Sequence, residues 1–357
     1  MCSIDFHIKI LYHTFMSFSV GIVGLPNVGK STLFKAITKK PVEIAPYPFT
    51  TIQPNFGIVA VPDERLERIA QIIKPEKVTP TIIEFVDIAG LVKGAHKGEG
   101  LGNQFLAHIR NCDAILEVVR CFADQNVENV LGEINPEKEI EIVETELLMK
   151  DLETLESLIS KLEKKEDKKI SKKIGILKKI KEGVSEGKSM SEINLTGEEK
   201  LEIKEYQFLT QKPIFYILNT NGKTQCSTSK VEHLVMNLKE EEEILELSEG
   251  EIKELGFRSQ LDLLIGACYD TLSLITFFTV AGGKETRAWT IKRGERAPRA
   301  GGIVHSDFEK KFIRAEAISW QKLVEAGSWR CAREKGWLKS VGKDYIVQDG
   351  DVIEFKI

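Results

Sequence analysis

No stretch of the 357-residue chain is apolar for long enough to cross a bilayer, which argues against a helical membrane protein. Cysteine is scarce. Cys2, Cys112, Cys121, Cys226, Cys268 and Cys331 form no C-x-x-C pair, and no histidine sits near them at ligand spacing. Neither a zinc site nor a disulfide framework is expected, and the thiols read as reduced, as in a cytoplasmic protein. A dominant charge sign is also missing. The formal net charge is -4 and the pI is near 6.0, so any nucleic-acid surface has to be a local patch. Met1 to Phe15 lack the unbroken apolar core and small-residue cleavage site of a signal peptide. Residues 1–16 read as an extension, either disordered or the product of a start codon placed ahead of Met16. No internal repeat is visible.

What is present describes a soluble globular chain long enough for two or three domains, with 42% hydrophobic and 29% charged residues. Ser17–Val23, Thr81–Asp87, Ala114–Arg120 and Pro213–Leu218 are short apolar runs of strand type, with helical patterns between several of them. This alternation predicts an α/β domain with a mainly parallel sheet, and such sheets bind ligands at the carboxyl ends of their strands. It would occupy residues 17–137 and 206–274. Between its halves, 138–205 is rich in Glu, Lys, Leu and Ile. Leu148, Leu152, Leu155, Ile159 and Leu162 alternate spacings of four and three, a heptad seam that resumes at Ile170, Ile174 and Leu177. The spacing predicts an inserted coiled-coil arm of two antiparallel helices joined near 164–169. Thr196-Gly-Glu-Glu199 then reads as a capping box. Residues 275–357 read as an α+β module. Strands are expected at 275–280, 286–291, 311–315, 345–347 and 352–355, helices near 300–306 and 319–326, and a turn at Asp349-Gly-Asp351.

The chemistry starts at Gly24-Leu-Pro-Asn-Val-Gly-Lys-Ser31, a full G-x-x-x-x-G-K-[ST] motif between a strand and a helix. Its glycines allow backbone N–H groups to turn toward phosphate oxygens, and the helix N-terminus adds a favourable dipole. Lys30 supplies charge to the β- and γ-phosphates, and the Ser31 hydroxyl is placed for Mg²⁺. Asp87-Ile-Ala-Gly90 closes the second strand: Asp87 can hold a water on Mg²⁺, and the Gly90 N–H can approach the γ-phosphate. In Tyr47-Pro-Phe-Thr-Thr51 two adjacent threonines can complete the magnesium coordination, and Thr51 is taken. Leu91 stands where many GTPases place a water-orienting glutamine, so hydrolysis has to use another group or a partner, or be slow. His96, Glu99 and Glu117 are the polar candidates nearby.

Guanine is read in GTPases by an N-K-x-D tetrad whose aspartate accepts hydrogen bonds from the base. Here Asn219-Thr-Asn-Gly222 occupies that place. Asn219 is retained, but Gly222 has no carboxylate, and the loss of a buried recognition contact usually destroys discrimination. Strict GTP specificity is therefore not expected, and ATP becomes a plausible substrate.

With these residues in view, the chain resembles the YchF-type Obg-like ATPases of the Obg branch of P-loop GTPases, over nearly its whole length from Met16. The resemblance is carried by Gly21–Phe34, Phe85–Gly94, Lys97–Phe105, Ala288-Trp-Thr-Ile291 and Lys343-Asp-Tyr-Ile-Val347. It implies an OBG-type G domain, a coiled-coil insertion and a C-terminal TGS domain of β-grasp type. It also implies preference for ATP, Mg²⁺ dependence, weak intrinsic hydrolysis and association with ribosomes. Asn27, Val28, Gly29, Lys30, Ser31 and Thr32 match the family's ATP-phosphate loop. Ser31 and Thr51 match its magnesium positions, and Leu91 matches its hydrophobic replacement of glutamine. Two positions depart from the family. Its base motif commonly ends in Glu where this chain has Gly222, and many members carry a histidine at the position of Glu117.

The C-terminal module holds Lys284, Arg287, Lys292, Arg293, Arg296, Arg299, Lys310, Lys311 and Arg314, against Glu285, Glu295, Asp307 and Glu309. With Trp289 and Phe308 nearby, contact with rRNA or tRNA is expected there and along the arm. The leading expectation is a monomeric, ribosome-bound ATPase switch regulating translation or a stress response. The alternatives are a GTPase in ribosome assembly and an ATP-gated binding switch with negligible turnover.

Overall fold

The computed structural model describes residues 18–39, 56–88, 108–164, 168–223 and 227–357. The phosphate motif joins β1 (Phe18–Val23) to α1 (Lys30–Thr38). β2 (Phe56–Ala60), α2 (Glu64–Ile73), β3 (Lys77–Thr79), β4 (Ile82–Asp87) and β5 (Ala114–Cys121) follow. The arm consists of α3 (Pro136–Leu162) and α4 (Lys168–Ser185), and α5 (Gly197–Ile203) leads back from it. Then come β6 (Ile214–Thr220), β7 (His233–Met236), α6 (Leu238–Ile244), α7 (Glu249–Leu255) and α8 (Leu261–Thr271). The C-terminal module contains β8 (Leu274–Ala281), β9 (Glu285–Lys292), α9 (Ala297–Val304), α10 (Ser306–Lys310), β10 (Arg314–Ser319), α11 (Trp320–Ala326), α12 (Trp329–Glu334), β11 (Lys339–Val341) and β12 (Asp351–Lys356).

The first sheet has the order β2-β4-β1-β5-β6-β7 and is parallel except for β2, which runs antiparallel to β4 along the edge. Every residue of the central strand β5 is buried, as a strand covered on both faces requires. The edge strands β2 and β7 were not expected from the sequence. They are only five and four residues long and partly buried, so pairing with neighbouring strands defines them more than any pattern of their own.

The second sheet has the order β11-β10-β12-β8-β9-β3. One face packs on α9 and α10 through Phe277, Ile291, Ala300, Phe312 and Phe355. The other face packs on α2 and α11 through Leu66, Ile69, Phe278, Leu323 and Val352. The sequence reading is corrected at several points. The strand expected at 311–315 forms at 314–319, and 345–347 contributes only a bridge from Ile346 to Arg296. The short strand β11, which pairs antiparallel with β10, was missed. Most unexpectedly, β3 comes from the N-terminal half of the chain and pairs in parallel with β9. The Asp349–Gly350 turn is present, with Gly350 at φ 85.

The heptad seam closes as the spacing predicts. Leu155 and Ile159 of α3 are buried against Leu177, Ile180 and Val184 of α4. Ile170 and Ile174 are only half-buried. The seam is more than a two-helix coil, because Met190, Leu195, Ile203 and Phe208 from the returning chain complete its core. The Thr196 capping box is formed, with Thr196 and Glu199 exchanging side-chain to backbone bonds. Buried Asp151 accepts hydrogen bonds from Leu209 N, Thr210 N and Thr210 Oγ1, each at 2.8 Å, and so pins α3 to the return path. Cys112 and Cys268 are free, buried thiols, and Cys331 is free and half-buried.

Candidate functional site

The phosphate loop is shaped by backbone that side chains would block. Gly24 has φ 143, and a Cβ there would lie 2.3 Å from the Val118 carbonyl oxygen. Gly29 has φ 107, and a Cβ would meet Asn219 Nδ2 at 2.4 Å. Both glycines are therefore required by close approach as well as by conformation. Asn27 also adopts positive φ, and its Nδ2 donates to the Glu128 carbonyl at 3.3 Å. Val28 and Leu33 are buried beneath the loop, and Thr32 is half-buried.

Lys30 is the first residue of α1. Its Nζ donates to the Leu25 carbonyl across the loop at 2.7 Å. Burial lowers its pKa to about 8, against the opposing pull of Asp87 and Glu139. Asp87 ends β4 beside the phosphate loop, paired in register with Ile22 of β1. Its carboxylate accepts the Ser31 hydroxyl at 3.1 Å. Burial raises the Asp87 pKa, while Ser31 and Lys30 oppose that shift. The sequence thus placed Lys30, Ser31 and Asp87 correctly as neighbours, although Ser31 and Asp87 are far apart along the chain. A hydroxyl and a carboxylate at one point, with an ammonium behind them, are hard oxygen donors of the kind that fit Mg²⁺ together with phosphate oxygens. Thr51, Gly90, Leu91, His96 and Glu99 lie outside the described residues.

Asn219 is the penultimate residue of β6 and is buried. Its Nδ2 donates to the Val28 carbonyl at 2.8 Å, and its Oδ1 accepts Leu238 N at 3.2 Å. The side chain therefore fastens the phosphate loop to the start of α6. The following turn is held by Thr220 Oγ1, which accepts Gly222 N, and by Asn221 Oδ1, which accepts Lys223 N. Gly222 has φ 72, and no described residue lies within 4 Å of where its Cβ would be.

Glu117 lies on β5 opposite Val23 but is fully enclosed, and neither carboxylate oxygen has a hydrogen-bond partner. Burial drives its pKa well up, reinforced by Glu144 and Glu139 and opposed by Lys230. The charges that act on it belong to α3 and to Lys230, not to Lys30 or Asp87.

Two residues next to the loop were missed by the sequence reading. Arg120 donates to the carbonyls of Phe122, Val127 and Glu128, organising the segment that Asn27 also touches. Glu139 accepts Arg120 N at 2.9 Å and is raised by burial to about 7. Neither stands in a recognisable motif, and only the packing of α3 on β5 brings them to the site.

The basic residues of the C-terminal module are more extensively paired than the sequence implied. Arg296 meets Asp344, Arg299 meets Glu309, Lys311 meets Asp307 and Arg314 meets Glu316. Lys284, Lys292, Arg293 and Lys310 are exposed. Trp289 is 9% exposed, and Phe308 stacks on Phe355, so these aromatic rings serve the core and are not platforms for bases. On the arm, Lys172, Lys173, Lys178, Lys179 and Lys181 each meet a glutamate. Pairs of this kind, mostly exposed, contribute roughly 0–1 kcal/mol each.

Strand order, phosphate loop and the Asp87 position together define a P-loop nucleotide-binding protein of the GTPase type. A model described as "50S ribosome-binding GTPase" matches residues 19–174. A second, YchF-GTPase_C, described as "Protein of unknown function (DUF933)", matches residues 274–357. The chain is 47% identical to a Bacillus subtilis protein named "Ribosome-binding ATPase YchF", covering 96% of this chain and 99% of that one. It is 45% identical to the Escherichia coli O157:H7 protein of the same name, over 95% and 99% of the two chains. The structure titled "Structure of the Schizosaccharomyces pombe YchF GTPase" superposes with TM-score 0.83 at 34% identity, covering 95% of this chain and 98% of that one. The chain belongs to the YchF family. Its bacterial relatives are named ATPase and the fission-yeast structure is titled GTPase.

Proposed function

We propose that this protein is a ribosome-binding, Mg²⁺-dependent ATPase with weak intrinsic turnover that acts in the cytoplasm as a nucleotide-dependent regulator of translation or of a stress response. The observation that carries the enzymatic part is the convergence of Lys30, Ser31 and Asp87 at the carboxyl ends of β1 and β4. Lys30 holds phosphate charge, and the N–H groups from Asn27 to Thr32 cradle the phosphates. Ser31, Thr51 and Asp87, the last through a water, would hold Mg²⁺, which would neutralise charge on the β- and γ-phosphates. Gly90 would approach the γ-phosphate, and Leu91 would leave the attacking water without a side-chain partner. His96 remains a candidate for that role. Ribosome binding rests on the names of the relatives, and the exposed cations Lys284, Lys292, Arg293 and Lys310 support contact with rRNA or tRNA.

The domain reading is a G domain over 17–137 and 206–274, of which α2 and β3 are lent to the C-terminal sheet, a helical insertion over 138–205 and a TGS domain over 275–357, in a monomer. A Mg²⁺ titration of fluorescent ATP and GTP analogues, with Lys30→Ala as control, tests the nucleotide assignment. Preference for GTP would move the GTPase reading to first place. Co-sedimentation with ribosomes in the presence of each nucleotide tests the partner.

A second reading is favoured by Glu117. Its carboxyl is enclosed and unpartnered, so it is poorly placed to activate water. In that reading ATP gates binding and turnover is incidental. Single-turnover rates with and without ribosomes separate the two.

A further inference from the structure

Residues 61–81 leave the nucleotide-binding sheet at β2 and rejoin it at β4, but between those points they belong to the C-terminal sheet. β3 extends that sheet, with Lys77 opposite Glu285 and Thr79 opposite Arg287. α2 buries Leu66 and Ile69 in one cluster with Phe278, Ile318, Leu323 and Val352. At its start, Arg65 donates to both Asp63 oxygens at 2.8 Å and to Asp349 at 2.7 Å, and its guanidinium lies 5.6 Å from the Phe278 ring centroid. At the far end the Thr81 hydroxyl bonds that of Thr290, which Tyr269 joins to Thr276. From Thr81, β4 runs straight to Asp87 in the phosphate site.

We propose that the α2–β3 segment joins the nucleotide site and the C-terminal module into one cooperative unit, so that nucleotide bound at Lys30 and Asp87 stabilises the C-terminal sheet. This rests on the nucleotide-binding reading above. A ligand that binds only the native state stabilises every amide whose exchange requires opening of the unit it binds. A module tethered by a flexible linker would not respond. Here the connection is a strand pairing, a shared apolar cluster and a buried hydroxyl chain.

The test is hydrogen exchange on the full-length chain with and without Mg²⁺-ADP. At about 100 times Kd, amides of Thr286–Ile291 and Val352–Phe355 should exchange up to about 100-fold more slowly, together with those of the phosphate loop. Arg65→Ala, and independently the nearly isosteric Thr81→Val, should reduce the C-terminal response while the phosphate-loop response persists. Protection of the phosphate loop with no change in the C-terminal sheet overturns the proposal, as does a full C-terminal response in both variants. A phosphate loop indifferent to nucleotide overturns the underlying functional reading, and the proposal falls with it.

Discussion

The Ser31 hydroxyl donates to the Asp87 carboxylate at 3.1 Å, joining the first turn of α1 to the end of β4. These groups sit where a divalent ion would be shared. Asp87→Asn keeps the shape and removes the charge. It should abolish the Mg²⁺-dependent part of nucleotide affinity, a loss of about tenfold or more (~1.4 kcal/mol), while binding without Mg²⁺ changes little. Titrations with and without EDTA measure this directly.

Lys30 gives a pH dependence with a definite sign. Its pKa in the folded protein is about 8, so it is charged below that pH and neutral above it. Phosphate binds the charged form. Above pH 8, binding must take up a proton, and affinity should fall by up to about tenfold per pH unit. Binding curves between pH 7 and 9.5 should show this bend in the wild type, with Lys30→Ala weak and flat throughout.

Glu117 should cost stability at neutral pH. Its native pKa is raised far above the ordinary 4.5, so the folded state keeps the proton after the unfolded state has released it. Stability therefore falls as pH rises above about 4.5, until the raised native value is reached. Glu117→Gln removes this term. The variant's stability advantage over wild type should grow from pH 5 to pH 8 by about 1 kcal/mol or more, read as roughly 1–2 °C in thermal midpoint for each kcal/mol. A gap that stays constant with pH would contradict the protonated state.

Gly222→Asp should restore a guanine contact. No described residue crowds the Cβ position of Gly222, and aspartate tolerates positive φ better than most residues, at about 1–2 kcal/mol. Affinity for GTP relative to ATP should rise about tenfold or more, read by competition against a fluorescent nucleotide. An unchanged ratio would mean that the base does not lie against this turn.

Asn219→Ala should loosen the loop without touching phosphate chemistry. It strands the Val28 carbonyl and the Leu238 N–H, both buried against the side chain that would be lost. A cost of about 1–3 kcal/mol is expected in denaturant unfolding, with weaker binding of ATP and GTP alike.

The phosphate loop, the central strands and the arm were legible in the sequence because each is a local pattern. A Gly-rich turn between strand and helix, a run of β-branched residues and a heptad all state their structure within a few residues. Gly222 was equally readable, as the absence of a carboxylate at a fixed place after Asn219. By contrast, the enclosure of Glu117, the bonds of Arg120 and the value near 7 for Glu139 depend on α3 lying across β5, which no local pattern encodes. The basic patch was misjudged for the same reason. Asp344 and Glu316 are outside the stretch where its cations cluster, and the fold brings them into contact with Arg296 and Arg314.

The sequence by itself determined the phosphate-loop motif Gly24–Ser31, because that spacing of glycines, lysine and serine is a local pattern. Only the tertiary structure decided where the C-terminal sheet ends. Lys77–Thr79 is too short and too polar to declare itself a strand, and it becomes one because β9 offers unpaired backbone groups and α2 delivers it there. Backbone pairing is satisfied by whichever partner the packing brings, and that partner stands more than two hundred residues away in the chain.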